Sequence, residues 1–198
     1  SDRPLEEKRI TAEVCVHHLH FDESQYPQLG TRMKCNPAIK TAADRQALLQ
    51  AICDGRIDVI GTDHAPHTLA EKQRPYFQAP SGLPLVQQAL ACLLEHYHEA
   101  RLALPQIVEK ACHAPARLFD VQERGYLREG YWADLVLVDL KRPAVVDEAT
   151  LLYRCGWSPF ADVVFRSSIH ATIVSGHLAY YNGRMNPEPA GRRLAFRR

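Results

Sequence analysis

The sequence predicts an α/β body followed by a small β module. Two short β-forming runs, residues 10–16 and 57–61, bracket a helix that carries its own start and stop signals. Two more helical segments come next, and from Gly125 onward the pattern changes to β-forming runs separated by turn residues. A chain of 198 residues, 46% hydrophobic and 24% charged, is long enough to bury one sizeable core. The expected division is residues 1–124 for the α/β body and 125–198 for the β module and its basic tail.

Residues 10–16, ITAEVCV, are few and rich in β-formers, which predicts a buried strand ending at His17 and His18. In TAADRQALLQAICDG, Thr41 is the N-cap with Asp44 three residues on. Leu48, Leu49 and Ile52 stand at helical spacing, and Gly55 is the stop. IDVIG, residues 57–61, is apolar apart from Asp58, as expected for a strand of a parallel sheet covered on both faces. Strand, helix and strand in that order form a βαβ unit.

Residues 68–82 read as a polar loop. PLVQQALACLLEHY then sets Val86, Ala89, Leu90, Leu93, Leu94 and Tyr97 on one helical face, with Pro84 near the first turn. PQIVEKACH predicts a further helix, and Pro115 limits any continuation of it to a short one. Beyond Gly125, GYWADLVLVDL reads as a strand and IHATIVSGHLAYYNG as a hairpin turning at Ser175 and Gly176.

The formal charge of +1 gives no reason to expect a nucleic acid partner, and no apolar run approaches the roughly 18 residues of a membrane span. The six cysteines form no CxxC pair, and most lie in apolar segments such as ALACLL. They read as reduced, buried residues of a cytoplasmic protein. The opening SDRPLEEKR lacks an initiating Met and would suit a segment of a longer protein.

Ligands of parallel α/β sheets bind at the carboxyl ends of the strands. Three polar clusters fall there: His17 and His18, then Cys35, Asn36 and Pro37, then Thr62 to His67. Asp63 is the strongest candidate, because a carboxylate leaving a buried strand needs a metal, a cation or several donors, or else serves as a turn aspartate. Asn36 before Pro37 suits either a substrate's hydrogen-bonding edge or a plain turn. His64 and His67 flank Ala65 and Pro66 in a spacing that does not define a metal site by itself. His17 and His18 are adjacent, and adjacent strand residues face opposite sides, so at most one is expected to reach a shared site. A hydrolytic zinc site needs at least three protein ligands.

EVCVHHL, KCNPAIK, IDVIGTDHAPH, APSG and GYWADLVLVDL, in this order and at these separations, resemble the C-terminal portion of a dihydroorotase of the amidohydrolase superfamily. The resemblance implies the last two βα units of a (β/α)8 TIM barrel plus a small β-sandwich module, with residues 10–16 in strand seven and 57–61 in strand eight. It implies reversible, zinc-dependent hydrolysis of the cyclic amide of dihydroorotate to N-carbamoylaspartate, in pyrimidine biosynthesis. Asp63 would be both metal ligand and catalytic acid and base, and Asn36, His67, Ser81 and Gly82 would bind substrate. His67 would offer a donor to the substrate carboxylate. Strand seven supplies no zinc ligand in such enzymes, which leaves His17 and His18 out of the metal set.

Where many bacterial relatives read NPPLR this sequence reads NPAIK, so Lys40 replaces an arginine. The remaining metal ligands that the resemblance implies, an HxH and residues of strands four to six, have no counterpart in this sequence. The chain alone is therefore expected to be inactive, with one or two zinc ions held only by the complete enzyme. A small-molecule substrate and a homo-oligomer are implied. The alternatives are a hydantoinase-like or allantoinase-like ring hydrolase, and an inactive scaffold for aspartate transcarbamoylase.

Overall fold

The computed structural model describes residues 3–189 and 191–197. Strand β1 (Glu13–Cys15) pairs in parallel with β2 (Val59–Gly61), placing Cys15 opposite Gly61. Both strands are shorter than the sequence suggests. The chain leaves β1 directly into a helical turn, α1 (Val16–His20), so His17 and His18 sit on a helix and not at the end of a strand. This overturns the expectation that they diverge: their rings lie 4.1 Å apart, centroid to centroid.

A short helix α2 (Tyr26–Leu29) precedes α3 (Ala42–Cys53), which begins as expected. Thr41 Oγ1 accepts from the Asp44 amide, and the Asp44 carboxylate accepts from the Thr41 amide at 3.1 Å. The 68–82 loop contains a helix of its own, α4 (Leu69–Lys72), started by a second capping box between Thr68 and Glu71. Helix α5 (Ala89–His98) begins later than Pro84 would allow, and Val86 is exposed. After α6 (Leu104–Val108) the helix widens to a π turn at Glu109–His113 before α7 (Ala114–Leu118). Pro115 has no N–H for the ladder, and the wider turn precedes it.

The second part is built on a four-stranded antiparallel sheet of order β3–β6–β7–β8, comprising Leu135–Asp139, Ser168–Val174, His177–Tyr181 and Arg184–Met185. Two short strands, β4 (Ala144–Val145) and β5 (Val164–Phe165), pair beside it. The β6–β7 hairpin turns at Ser175 and Gly176, both with positive φ, as a two-residue primed turn requires. The main apolar core joins Val14, Leu19, Ile52, Ile60, Leu85 and Leu93 to Phe160 and Phe165 from the second part.

Asp58, the polar residue inside the apolar run, is accounted for by an ion pair. Its carboxylate meets Lys8 Nζ at 2.5 Å and accepts from the Ala12 amide at 2.9 Å, while Lys8 also donates to the Gly55 carbonyl at 3.1 Å. Both side chains are almost fully buried. All six cysteines are free, but Cys53 and Cys112 are exposed, against the expectation of general burial.

Removing one partner of a buried pair strands the other charge. Asp58→Asn is expected to cost about 3 kcal/mol on that ground, measured by urea unfolding; a loss below about 1 kcal/mol would show the pair to be dispensable. A second outcome concerns His96, whose ring nitrogens are buried and lack a hydrogen-bond partner among the described residues. Burial, with His20, Arg101 and Arg45 nearby, pushes its pKa from 6.5 down to about 4. Between these values the unfolded chain takes up the proton and the folded chain does not, so stability held above pH 6.5 falls as pH drops toward about 4. The unfolding free energy should lose up to about 1.4 kcal/mol per pH unit there, and His96→Leu should flatten that slope. Equal slopes in the two proteins would contradict the assignment.

Candidate functional site

Asp63 stands two residues beyond β2, at the carboxyl end of the parallel pair. Its φ is 48°, in the left-handed region that costs a non-glycine residue, although aspartate tolerates it better than most. Its carboxylate is exposed and has no hydrogen-bond or ion-pair partner among the described residues. Strain at an unpartnered carboxylate makes the position a candidate for function.

The two histidines of the stretch have different employment. His64 Nδ1 accepts from the Leu85 amide at 2.9 Å and the Val86 amide at 3.2 Å, which leaves the proton on Nε2 and no lone pair for a metal. Desolvation lowers its pKa and favours this neutral form. His67 Nε2 lies 3.1 Å from the Ser81 carbonyl, an obligate acceptor, so Nε2 is the donor there. Neutral His67 therefore presents Nδ1 as an acceptor. Only the imidazolium can donate to a substrate carboxylate.

Loop 63–67 runs beside loop 81–85: Ala65 donates to the Leu83 carbonyl at 2.9 Å, and His64 and Leu83 form a parallel bridge. Gly82 is required at the closest point. Its φ is 137°, and a Cβ there would meet the Ala65 Cβ at 2.5 Å. The Gly82 amide also donates to the Lys34 carbonyl at 2.9 Å, which draws in the loop carrying Asn36. Asn36 itself is exposed and precedes a cis peptide bond to Pro37. The structure thus binds Gly82 and Ser81 to the loops of His67 and Asn36.

Two residues that organise this region were not foreseen from the sequence. Lys72 is fully buried, and its Nζ donates to the carbonyls of Lys34, Pro80 and Gly82, each at 2.9 Å. Burial lowers its pKa to about 8, which leaves it charged at neutral pH with three donors for three acceptors. Trp157, from the second part of the chain, donates from its indole to the His67 carbonyl at 2.8 Å. The T-x-x-E box at Thr68 would have revealed the helix bearing Lys72; no local signal marks Trp157.

Asp63 fits the donor chemistry of a divalent cation, as an exposed carboxylate without a protein partner. It does not make a hydrolytic centre alone, since three protein ligands are needed and His64 is excluded by its hydrogen bonds. Lys40 is exposed and donates to the Ala38 carbonyl at 3.2 Å. No helix among the described residues is long and apolar enough to cross a membrane.

Known proteins resemble this chain in sequence and in fold. The chain is 37% identical over 178 residues to the dihydroorotase of Bacillus subtilis, covering 89% of this chain and 41% of that protein. The chain therefore spans about two fifths of the length of the relatives it matches. Among solved structures, L-hydantoinase from Arthrobacter aurescens superposes with a TM-score of 0.89 at 26% identity, over 97% of this chain and 44% of that one. The inactive dihydroorotase-like domain of the Chaetomium thermophilum CAD-like multifunctional protein shares the fold, with a TM-score of 0.65 at 21% identity over 93% of this chain and 48% of that one. The β1–α3–β2 unit is accordingly a part of a TIM barrel, and Asp63 stands beyond the carboxyl end of its second strand. Residues 4–179 match the model of the amidohydrolase family, and the chain belongs to that family.

Proposed function

We propose that this chain forms the strand-seven and strand-eight wall of a zinc-dependent cyclic amidohydrolase that opens dihydroorotate reversibly to N-carbamoylaspartate. The observation that carries the reading is Asp63, an exposed, unpartnered carboxylate in left-handed conformation at the end of a buried parallel strand. A bound zinc would supply Lewis acidity at the ring amide and lower the pKa of water. Asp63 would help hold it, take a proton from the attacking water and deliver that proton to the departing ring nitrogen.

His67, the amide side chain of Asn36 and the backbone at Ser81 and Gly82 would orient the substrate. Gly82 allows such close approach because it carries no side chain. The likeness to a dihydroorotase in sequence supports dihydroorotate over hydantoin, whereas the likeness to L-hydantoinase is met by the shared fold. The enzyme would work in the cytoplasm as a homo-oligomer. With Asp63 as the single ligand at this site, the 198-residue chain alone would neither hold a catalytic zinc pair nor turn over substrate.

The chain with zinc is expected to show no hydrolysis of dihydroorotate. Adding a polypeptide that carries the first six βα units of a dihydroorotase barrel should restore the rate, with dihydroorotate preferred over hydantoin and allantoin. Asp63→Asn should then lower that rate by about 100-fold or more. Turnover by the chain alone, or a restored enzyme indifferent to Asp63→Asn, would overturn the reading.

A further inference from the structure

The strongest unexplained feature lies on β1 and the turn of α1. Cys15, His17 and His18 each bring one ligand atom to a common place, with all three atoms within 4.8 Å of one another. His17 is fully buried, yet neither of its ring nitrogens has a hydrogen-bond partner among the described residues. Burying an unsatisfied imidazole costs folding free energy, and native structures seldom leave such a cost without a purpose.

His18 is arranged as a ligand would be. Its Nε2 lies 2.8 Å from the Pro37 carbonyl, which can only accept, so Nε2 carries the proton and Nδ1 keeps its lone pair. A metal-bound histidine is characteristically held in this way, by an outer carbonyl that fixes the tautomer and ring direction.

We propose that Cys15, His17 and His18 form a zinc site in which the thiolate and the two imidazoles supply three ligands and water supplies the fourth. A thiolate with two imidazoles is a donor set that favours zinc over magnesium or calcium. The strand-to-helix change at Val16 creates the site, because a continued strand would send His17 and His18 to opposite faces. Tetrahedral zinc with bonds of about 2.0–2.3 Å brings its ligand atoms to within about 3.3–3.7 Å of one another. Reaching that spacing from 4.8 Å requires small rotations of the half-buried Cys15 and His18 side chains.

The surroundings favour a cation. Glu13 Oε1 lies 3.8 Å from Cys15 Sγ, and the Asp63 charge is also felt by that thiol. Burial and then the two carboxylates oppose ionisation of the free thiol, but beside a zinc ion the carboxylates offset the net positive charge of the complex. Binding releases the thiol proton to solvent as the S–H bond is exchanged for a zinc–sulfur bond. Cys15 and His18 also line a cavity of about 510 Å³ between β1 and α3, through which the ion and its water can enter. The site does not depend on the dihydroorotase reading, since Asp63 is not among its ligands.

Equilibrium dialysis of this chain against zinc, and titration with cobalt as a spectroscopic stand-in, test the proposal. The expected result is one zinc per chain, with a thiolate-to-cobalt charge-transfer band in the near ultraviolet and the intense visible bands of tetrahedral cobalt. Cys15→Ser should abolish the charge-transfer band and weaken zinc by more than about 100-fold, beyond the loss expected for an outer-shell partner. His18→Ala should weaken zinc comparably, and Asp63→Asn should keep both stoichiometry and band. Circular dichroism shows whether each variant stays folded, and the half-buried positions of Cys15 and His18 make these substitutions the mild ones. Absence of zinc binding by the unaltered chain, or a charge-transfer band unchanged in Cys15→Ser, overturns the proposal. Loss of zinc in Asp63→Asn with retention in Cys15→Ser assigns the ion to Asp63 and overturns it equally.

Discussion

The buried ammonium of Lys72 is the constraint on which the candidate site depends. Three carbonyls, from Lys34, Pro80 and Gly82, converge on it from two loops that β-sheet pairing does not join. A charge with every donor satisfied tolerates such burial, whereas an apolar side chain in its place would leave the Pro80 and Gly82 carbonyls without a partner and the Lys34 carbonyl with the Gly82 amide alone. Lys34 adds a second cross-link, donating to the carbonyls of Tyr76 and Ala79 at 2.6 Å each. Asp63, His67, Ser81 and Asn36 are exposed or half-buried, so their positions derive from this framework beneath them and not from their own packing.

The rest of the structure supports the same region from two other sides. Lys8 and Asp58 pin the segment before β1 to the start of β2, and the parallel pair then carries the chain to Asp63. From the second part of the chain, Trp157 holds the His67 carbonyl, and Tyr153 accepts from the Gln87 amide while its ring lies 5.2 Å from that of His64. The apolar core continues through this contact, with Phe160 stacked on Phe21 at 5.1 Å. The β module thus does more than trail the α/β body: its connecting segment closes one side of the site.

Much of this was legible in the sequence where local chemistry decides the outcome. Thr41 with Asp44, Gly55, and the Ser175–Gly176 turn each state a backbone requirement that a few residues satisfy, and each appears as expected. The position of Asp63 beyond a buried strand was legible for a related reason, since a carboxylate after an apolar run needs an explanation. The features that escaped reading depend on distant partners. Val16 to His20 carry no helix signal strong enough to oppose the β-forming run before them, yet burial of Val16, His17 and Leu19 turns the chain there. Lys72 reads as a surface lysine until three carbonyls from 8 to 38 residues away are seen around it. Trp157 acts across 90 residues of sequence.

Native-state hydrogen exchange at the Gly82 and Ala65 amides tests the central claim most directly. Both amides are bonded between loops, to Lys34 and Leu83 carbonyls, and neither belongs to a regular strand or helix. If Lys72 organises the site, Lys72→Met removes protection at these two amides together while the β6–β7 hairpin keeps its own. Unchanged protection of Gly82 and Ala65 in the folded variant would contradict the account.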